Sequence, residues 1–147
     1  MQYRKSNEET LNNLYQNAHV ALQSISDLIP ETDDAMMRAE LKEQYEGYEK
    51  IIGEISGFMK DNDITPKDIG PMKKMMLKAS VKMNAAKNDN RSHIAEMMIK
   101  GGTMGITDAT KLLREYENTS CSEDVLSLAR RVIKYEEETV ERLKKFL

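Results

Sequence analysis

A chain of 147 residues, 39% hydrophobic and 32% charged with only three prolines and seven glycines, suits a single helical globular domain over residues 1–147 and is too short for two. Its 22 basic and 25 acidic residues are mixed along the whole length, leaving a net charge of -3 and no basic face to neutralise a phosphate backbone; nucleic acid is excluded as an expected partner. No run approaches the roughly 20 apolar residues of a membrane span. Cys121 has no second cysteine to pair with, and MQYRKSNEETLNN holds no apolar core for a signal peptide, so a cytoplasmic address is expected.

The first helix is expected behind a capping box at Ser6 and Glu9, with an apolar stripe of Leu11, Leu14, Ala18, Ala21, Ile25 and Leu28 ending before Pro30. Thr32 is the expected cap of the second, whose stripe reads Met37, Leu41, Tyr45, Tyr48, Ile52, Ile55 and Met59. Pro66, Gly70 and Pro71 then break the chain, and a hinge or crossover belongs there. Met72 to Tyr116 reads as a third helical region facing inward through Met76, Ala79, Met83, Ala86, Ile94, Met97, Gly101, Met104, Asp108 and Leu112. Continuous, it would span about 68 Å at roughly 1.5 Å per residue, nearly twice the first helix. It therefore either projects beyond its neighbours or is interrupted, at Asn88 to Asn90 or at Gly101 and Gly102, with the polar run as the weaker point. The last helix starts near Ser122, with Ser120 and Glu123 as a second capping box and a stripe of Val125, Ala129, Val132, Glu136, Thr139, Leu143 and Phe146.

Short connections after the first and third helices make antiparallel neighbours, so the expected fold is all-α: an up-down four-helix bundle with a long or interrupted third helix. Two carboxylates, Glu136 and Asp108, interrupt apolar stripes, and burying an unpaired charge costs several kcal/mol. With both short connections at one end, Glu136 falls level with Tyr15 and His19, with Gln44, Tyr45 and Tyr48, and with Gly101 to Met104. Glu136, Asp108 and His19 are then the candidate metal ligands, for iron or copper, with Gln44, Tyr48 and Tyr15 around them. The alternative is an ordinary buried carboxylate satisfied by tyrosine hydroxyls.

Neither histidine follows a glutamate by three residues, so the Glu-x-x-His pairs of a ferritin-type two-metal site are absent. His93 is expected at the far end of the domain, near Glu8 and Glu9, as a surface or end-cap residue. Seven of the eleven methionines lie between Met72 and Met104. Most read as gap-filling core, while Met72, Met75 and Met76 suit a partner-binding face, and dimerisation would cover them. Cys121 reads as an exposed thiol, and no motif for an organic cofactor occurs.

MIKGGTMGITDATKLL, Met98 to Leu113, and LARRVIKYEEETVERLKKFL, Leu128 to Leu147, resemble the helical hairpin of an uncharacterised bacterial ferritin-like family, some of whose members are implicated in copper binding. The resemblance implies a ferritin-like bundle. It departs at the chemistry: Gly101 and Gly102 stand where the family has paired histidines, Asp108 where it has a methionine, and Glu136 where it has a glutamine. The expected function is accordingly a non-catalytic binding or structural protein acting as a homo-oligomer. The alternatives are a metal-binding bundle and a partner-binding module.

Overall fold

The computed structural model describes residues 3–87, 90–117 and 121–147. Five α-helices account for most of them: α1 (Arg4–Leu28), α2 (Ala35–Asp61), α3 (Pro71–Lys87), α4 (Arg91–Tyr116) and α5 (Glu123–Leu143), with single 3-10 turns at Ile29–Glu31 and Lys144–Phe146. The chain is all-α, and no helix among the described residues is long and apolar enough to cross a membrane.

The interruption of the third helical region falls at the polar run. Asn90 leaves the helical conformation and its Oδ1 accepts from the His93 backbone N–H at 2.8 Å, opening α4 as an N-cap. Asn88 and Asp89 lie outside the described residues, as does Ser120. Gly101 and Gly102 break nothing, because α4 runs through them. Flanking helix formers carry two glycines at a cost of about 1 kcal/mol each.

Two of the expected caps are displaced. Helix α1 begins at Arg4, and Ser6 and Asn7 are buried within it, so there is no capping box at Ser6 and Glu9. Asn7 serves a distant segment instead: its Oδ1 accepts from the Cys121 thiol and the Ser122 N–H, both at 3.0 Å, and from the Ser122 hydroxyl at 3.2 Å. At α2 the cap is Asp34, whose carboxylate accepts from the Met37 N–H at 2.8 Å. Thr32 is fully buried, and its hydroxyl donates back to the Leu28 carbonyl at 2.7 Å, closing the end of α1.

Hydrogen bonds fix the direction of each helix. Arg4 donates to the Asn62 and Asp63 carbonyls at 3.2 and 3.0 Å, so α2 ends where α1 begins. The segment that follows crosses beside α1: Asn12 accepts from the Lys67 N–H at 2.9 Å and Gln16 donates to the Lys67 carbonyl at 3.1 Å. Gly70, at φ +83°, turns the chain into Pro71, where a missing N–H costs a helix nothing. Helix α3 then packs along α1 and returns the chain to the opposite end. Helix α4 descends until the Tyr116 hydroxyl donates to Glu9, and α5 ascends from Asn7 until Arg142 pairs with Glu40 at the start of α2.

The short connections therefore lie at opposite ends of the molecule, not at one. The packing pairs are α1 with α2, α2 with α5, α5 with α4 and α4 with α1, each antiparallel, while α1 also touches α5 across the middle. Leu11, Leu14, Ile25, Leu28, Met37, Leu41, Ile55, Met59 and Ile94 fill the centre together with Val125, Leu128, Ala129 and Leu143.

The inward positions follow the expected stripes in α1 and α5. In α2 the stripe is displaced by one residue in places, with Gln44 and Ile51 buried where Tyr45 and Ile52 are only half-buried. In α3 it is the other face that turns inward: Val81 and Ala85 are buried and Leu77 half-buried, while Met76, Ala79 and Met83 are exposed. Nothing is described of the Ala86 side chain. In α4 the buried residues are Ile94, Ala95 and Ala109, whereas Gly101, Met104 and Asp108 are exposed.

Candidate functional site

Helix α3 packs principally on α1, and α4 on α1 and α5, which leaves a space between α3 and α4. It is a cavity of about 620 Å³ reached by all five helices. Cavities of this size are typical of small-molecule sites. Val20 and Ala21 of α1, Leu77 and Val81 of α3, Met97, Met98 and Met104 of α4, and Val140 and Leu143 of α5 give it apolar walls.

Glycines shape the α4 wall. A Cβ at Gly102 would come within 2.9 Å of Val140 Cγ2, and one at Gly105 within 2.9 Å of Glu136 Oε2, so these two positions let α4 approach α5 closely. A Cβ at Gly101 would meet nothing within 4 Å, because that position opens onto the cavity.

The polar groups of the cavity gather where α2 faces α5. Glu136 is 7% exposed, Gln44 is fully buried, and Tyr48 and Thr139 are buried beside them. Glu136 makes no hydrogen bond or ion pair with any described residue, and burial raises its carboxyl pKa from the ordinary 4.5 to about 7. Burial likewise raises the Tyr48 phenol, reinforced by the neighbouring Glu136 and then Tyr135. The Tyr48 ring meets Tyr135 edge-on with centroids 5.4 Å apart, and the Tyr135 hydroxyl occupies the space beside Gly47.

Gln44 is held from behind. Its Nε2 donates to Glu40 Oε2 at 2.9 Å, and Glu40 accepts from Arg142 at 3.3 Å. A carboxylate paired with a guanidinium only accepts, so the Gln44 nitrogen must be the atom facing it, and the amide orientation follows. The other amide atom, Oε1, is buried without a partner. Thr139 Oγ1, near enough to Tyr135 to oppose the burial that raises that phenol, also lacks a partner of hydrogen-bonding geometry. The mouth carries His93, Glu96, Lys100 and Asp108 from α4 and Lys73 from α3, with Lys100 and Glu96 paired at 3.3 Å.

No family model, no curated protein and no solved structure matches this chain. Its chemistry has to be read from the residues themselves.

Of the residues singled out in the sequence, Glu136, Gln44 and Tyr48 do meet around one cavity, and Asp108 joins them only at its exposed rim. His19 does not. It stacks on Tyr15 at 4.4 Å between ring centroids and feels Asp68 and Lys74 beyond the crossover; burial lowers its pKa, opposed by Asp68. His19 falls within the stretch of α1 that lines the cavity through Asn17, Val20, Ala21 and Ser24, but it sits on another face of the helix, so matching heights along the bundle was not enough to place it at the site. Among the described residues, no three His, Cys, Asp or Glu side chains converge as a metal-binding group.

His93 is likewise relocated. Tyr116, not His93, reaches Glu9, and His93 lies about 35 Å away at the start of α4 by the helical rise. Its Nε2 is 3.1 Å from the Asn84 carbonyl of α3, closing one end of the cavity mouth. Cys121 is buried rather than exposed, and burial raises its thiol pKa despite the helix N-terminus beside it. Met72, Met75, Met76 and Met83 are between 66% and 76% exposed. The cavity itself was not foreseen. The glycine triplet at 101, 102 and 105 was the available signal, because three residues without side chains on one helix face either admit a neighbour or leave a space.

Proposed function

We propose that this protein is a non-catalytic binding protein that holds an apolar small molecule in the cavity between α3, α4 and α5. One observation carries the reading: a space of about 620 Å³ with apolar walls is floored by Gln44, whose buried Oε1 has no partner, and by the Glu136 carboxylate, 7% exposed and paired with no described residue. Left as they are, both groups cost folding free energy, and a ligand that pairs with them would offset it. The antiparallel ring of α1, α2, α5 and α4, with α3 as a helical crossover, supports placing the fold among four-helix bundles of the ferritin-like kind. Thermal unfolding against a panel of small amphipathic compounds tests the function. Binding predicts a midpoint that rises with ligand concentration, and a Gly101→Leu side chain filling the cavity mouth should abolish the rise.

A second reading is favoured by the exposure of Met72, Met75, Met76 and Met83 on α3. These four methionines form the contact between two copies of the chain. Sedimentation equilibrium of the wild type and of a Met75→Lys, Met76→Lys variant separates dimer from monomer. A wild type that stays monomeric at high concentration removes this reading.

A further inference from the structure

The free hydrogen-bonding atoms of the cavity specify more than an apolar occupant. Gln44 offers Oε1, which has no partner, and the second N–H of a nitrogen that already donates to Glu40, itself paired with Arg142. Glu136, when ionised, only accepts. The floor therefore presents two unpaired acceptors from two helices, α2 and α5, beside the one N–H left on the Gln44 amide; Tyr48 and Thr139 carry hydroxyls that can turn either way. A ligand anion would meet the Glu136 carboxylate, and a neutral hydroxyl supplies one donor for two acceptors. A protonated amine supplies up to three N–H groups and the opposite charge, which makes its hydrogen bonds charge-assisted.

A divalent metal ion would need several oxygen or nitrogen ligands in one place. Among the described residues, no cluster of three acidic, histidine or cysteine side chains provides them. Above the floor the walls are Val20, Leu77, Val81, Met97, Met98 and Val140, suited to an apolar body and, through the methionines, to aromatic rings.

Resting on the reading of the cavity as a ligand site, we propose that its ligand is an amphipathic amine: an aliphatic or aromatic body between α3 and α4, with its ammonium group between Glu136 and Gln44.

The pairing needs an ionised Glu136, which is half protonated near pH 7, so affinity rises between pH 6 and pH 8. The other titratable or charged groups facing the cavity are His93, Glu96, Lys100 and Asp108 from α4, Lys73 from α3 and Tyr48 from α2; the α1 lining has none and α5 contributes only Glu136. Glu136→Gln separates the floor from all of these, because it removes the charge and keeps the shape.

The experiment is isothermal calorimetry with matched amine and alcohol pairs, among them 4-phenylbutylamine with 4-phenylbutanol and hexylamine with hexanol. Wild type, Glu136→Gln and Gly101→Leu are titrated at pH 6 and pH 8. At pH 8 the wild type should bind an amine at least about tenfold tighter than its alcohol, the scale of one charge-assisted hydrogen bond. Glu136→Gln should bind the alcohol as before, lose the preference for the amine and lose the pH dependence, while Gly101→Leu should bind neither. Equal binding of amine and alcohol by the wild type overturns the amine assignment and leaves the cavity reading standing. Binding of no pair by the wild type, or undiminished binding by Gly101→Leu, overturns the cavity reading and the amine with it.

Discussion

Replacing Glu136 by glutamine should make the free protein more stable, and by an amount that depends on pH in a defined way. The carboxyl ionises near its ordinary 4.5 in the unfolded chain and near 7 in the folded one, because burial disfavours the charge. Between those values the folded state holds the proton more tightly than the unfolded state does, so stability falls as pH rises. It is fully present below about pH 4.5, declines through the interval and levels off above about 7. A shift from 4.5 to about 7, at about 1.4 kcal/mol per unit, corresponds to about 3 kcal/mol at pH 8. Glutamine has the same shape and no ionisation, so every other titrating group cancels in the comparison. Urea unfolding of both proteins between pH 4 and pH 8 measures it. The difference should be small at pH 4 and grow to about 3 kcal/mol in favour of the variant at pH 8. A difference that stays constant within about 0.5 kcal/mol across the range would refute the reasoning, since it would mean that Glu136 ionises as freely in the folded chain as in water.

Gly47→Ala should destabilise the protein by about 1 kcal/mol although alanine is the better helix former, because its Cβ would collide with the Tyr135 hydroxyl and drive that ring off Tyr48. Gly53→Ala in the same helix meets no atom within 4 Å and should stabilise by about 0.5–1 kcal/mol; paired chemical denaturation compares them. Asn7→Ala should cost about 1–3 kcal/mol, because it leaves the buried Cys121 thiol and the Ser122 N–H without their acceptor. The Cys121 thiol, raised by burial, should react slowly with a disulfide reagent in the folded protein and rapidly in urea, and fast native labelling would contradict its burial.

The reach of the sequence is clearest in α5. There Val125, Ala129, Val132, Glu136, Thr139 and Leu143 recur at helical spacing, and all are buried, the carboxylate included. Period and polarity were sufficient because α5 packs against α1, α2 and α4 along one continuous stripe. The break at Asn90 was equally legible, since an asparagine that caps a helix is a local device. Helix α3 shows the opposite case. Methionines and lysines are spread around it, so apolar spacing named Met76 and Met83 as inward when it is Leu77, Val81 and Ala85 that are covered.

Local pattern thus determined that this chain is helical, where most of its helices run and that Glu136 lies inside. Gln44 and Tyr48 were legible as its neighbours, whereas the face of α1 turned toward the cavity, which leaves His19 out, was decided only by tertiary structure. The end at which each connection lies was decided in the same way, since no periodicity encodes it. The contacts that settle it, Arg4 to Asn62 and Asn7 to Ser122, join positions 58 and 115 residues apart. The cavity has the same origin, because a space between helices is a property of how neighbours are spaced, and the glycines that shape it acquire meaning only once α4 lies against α5.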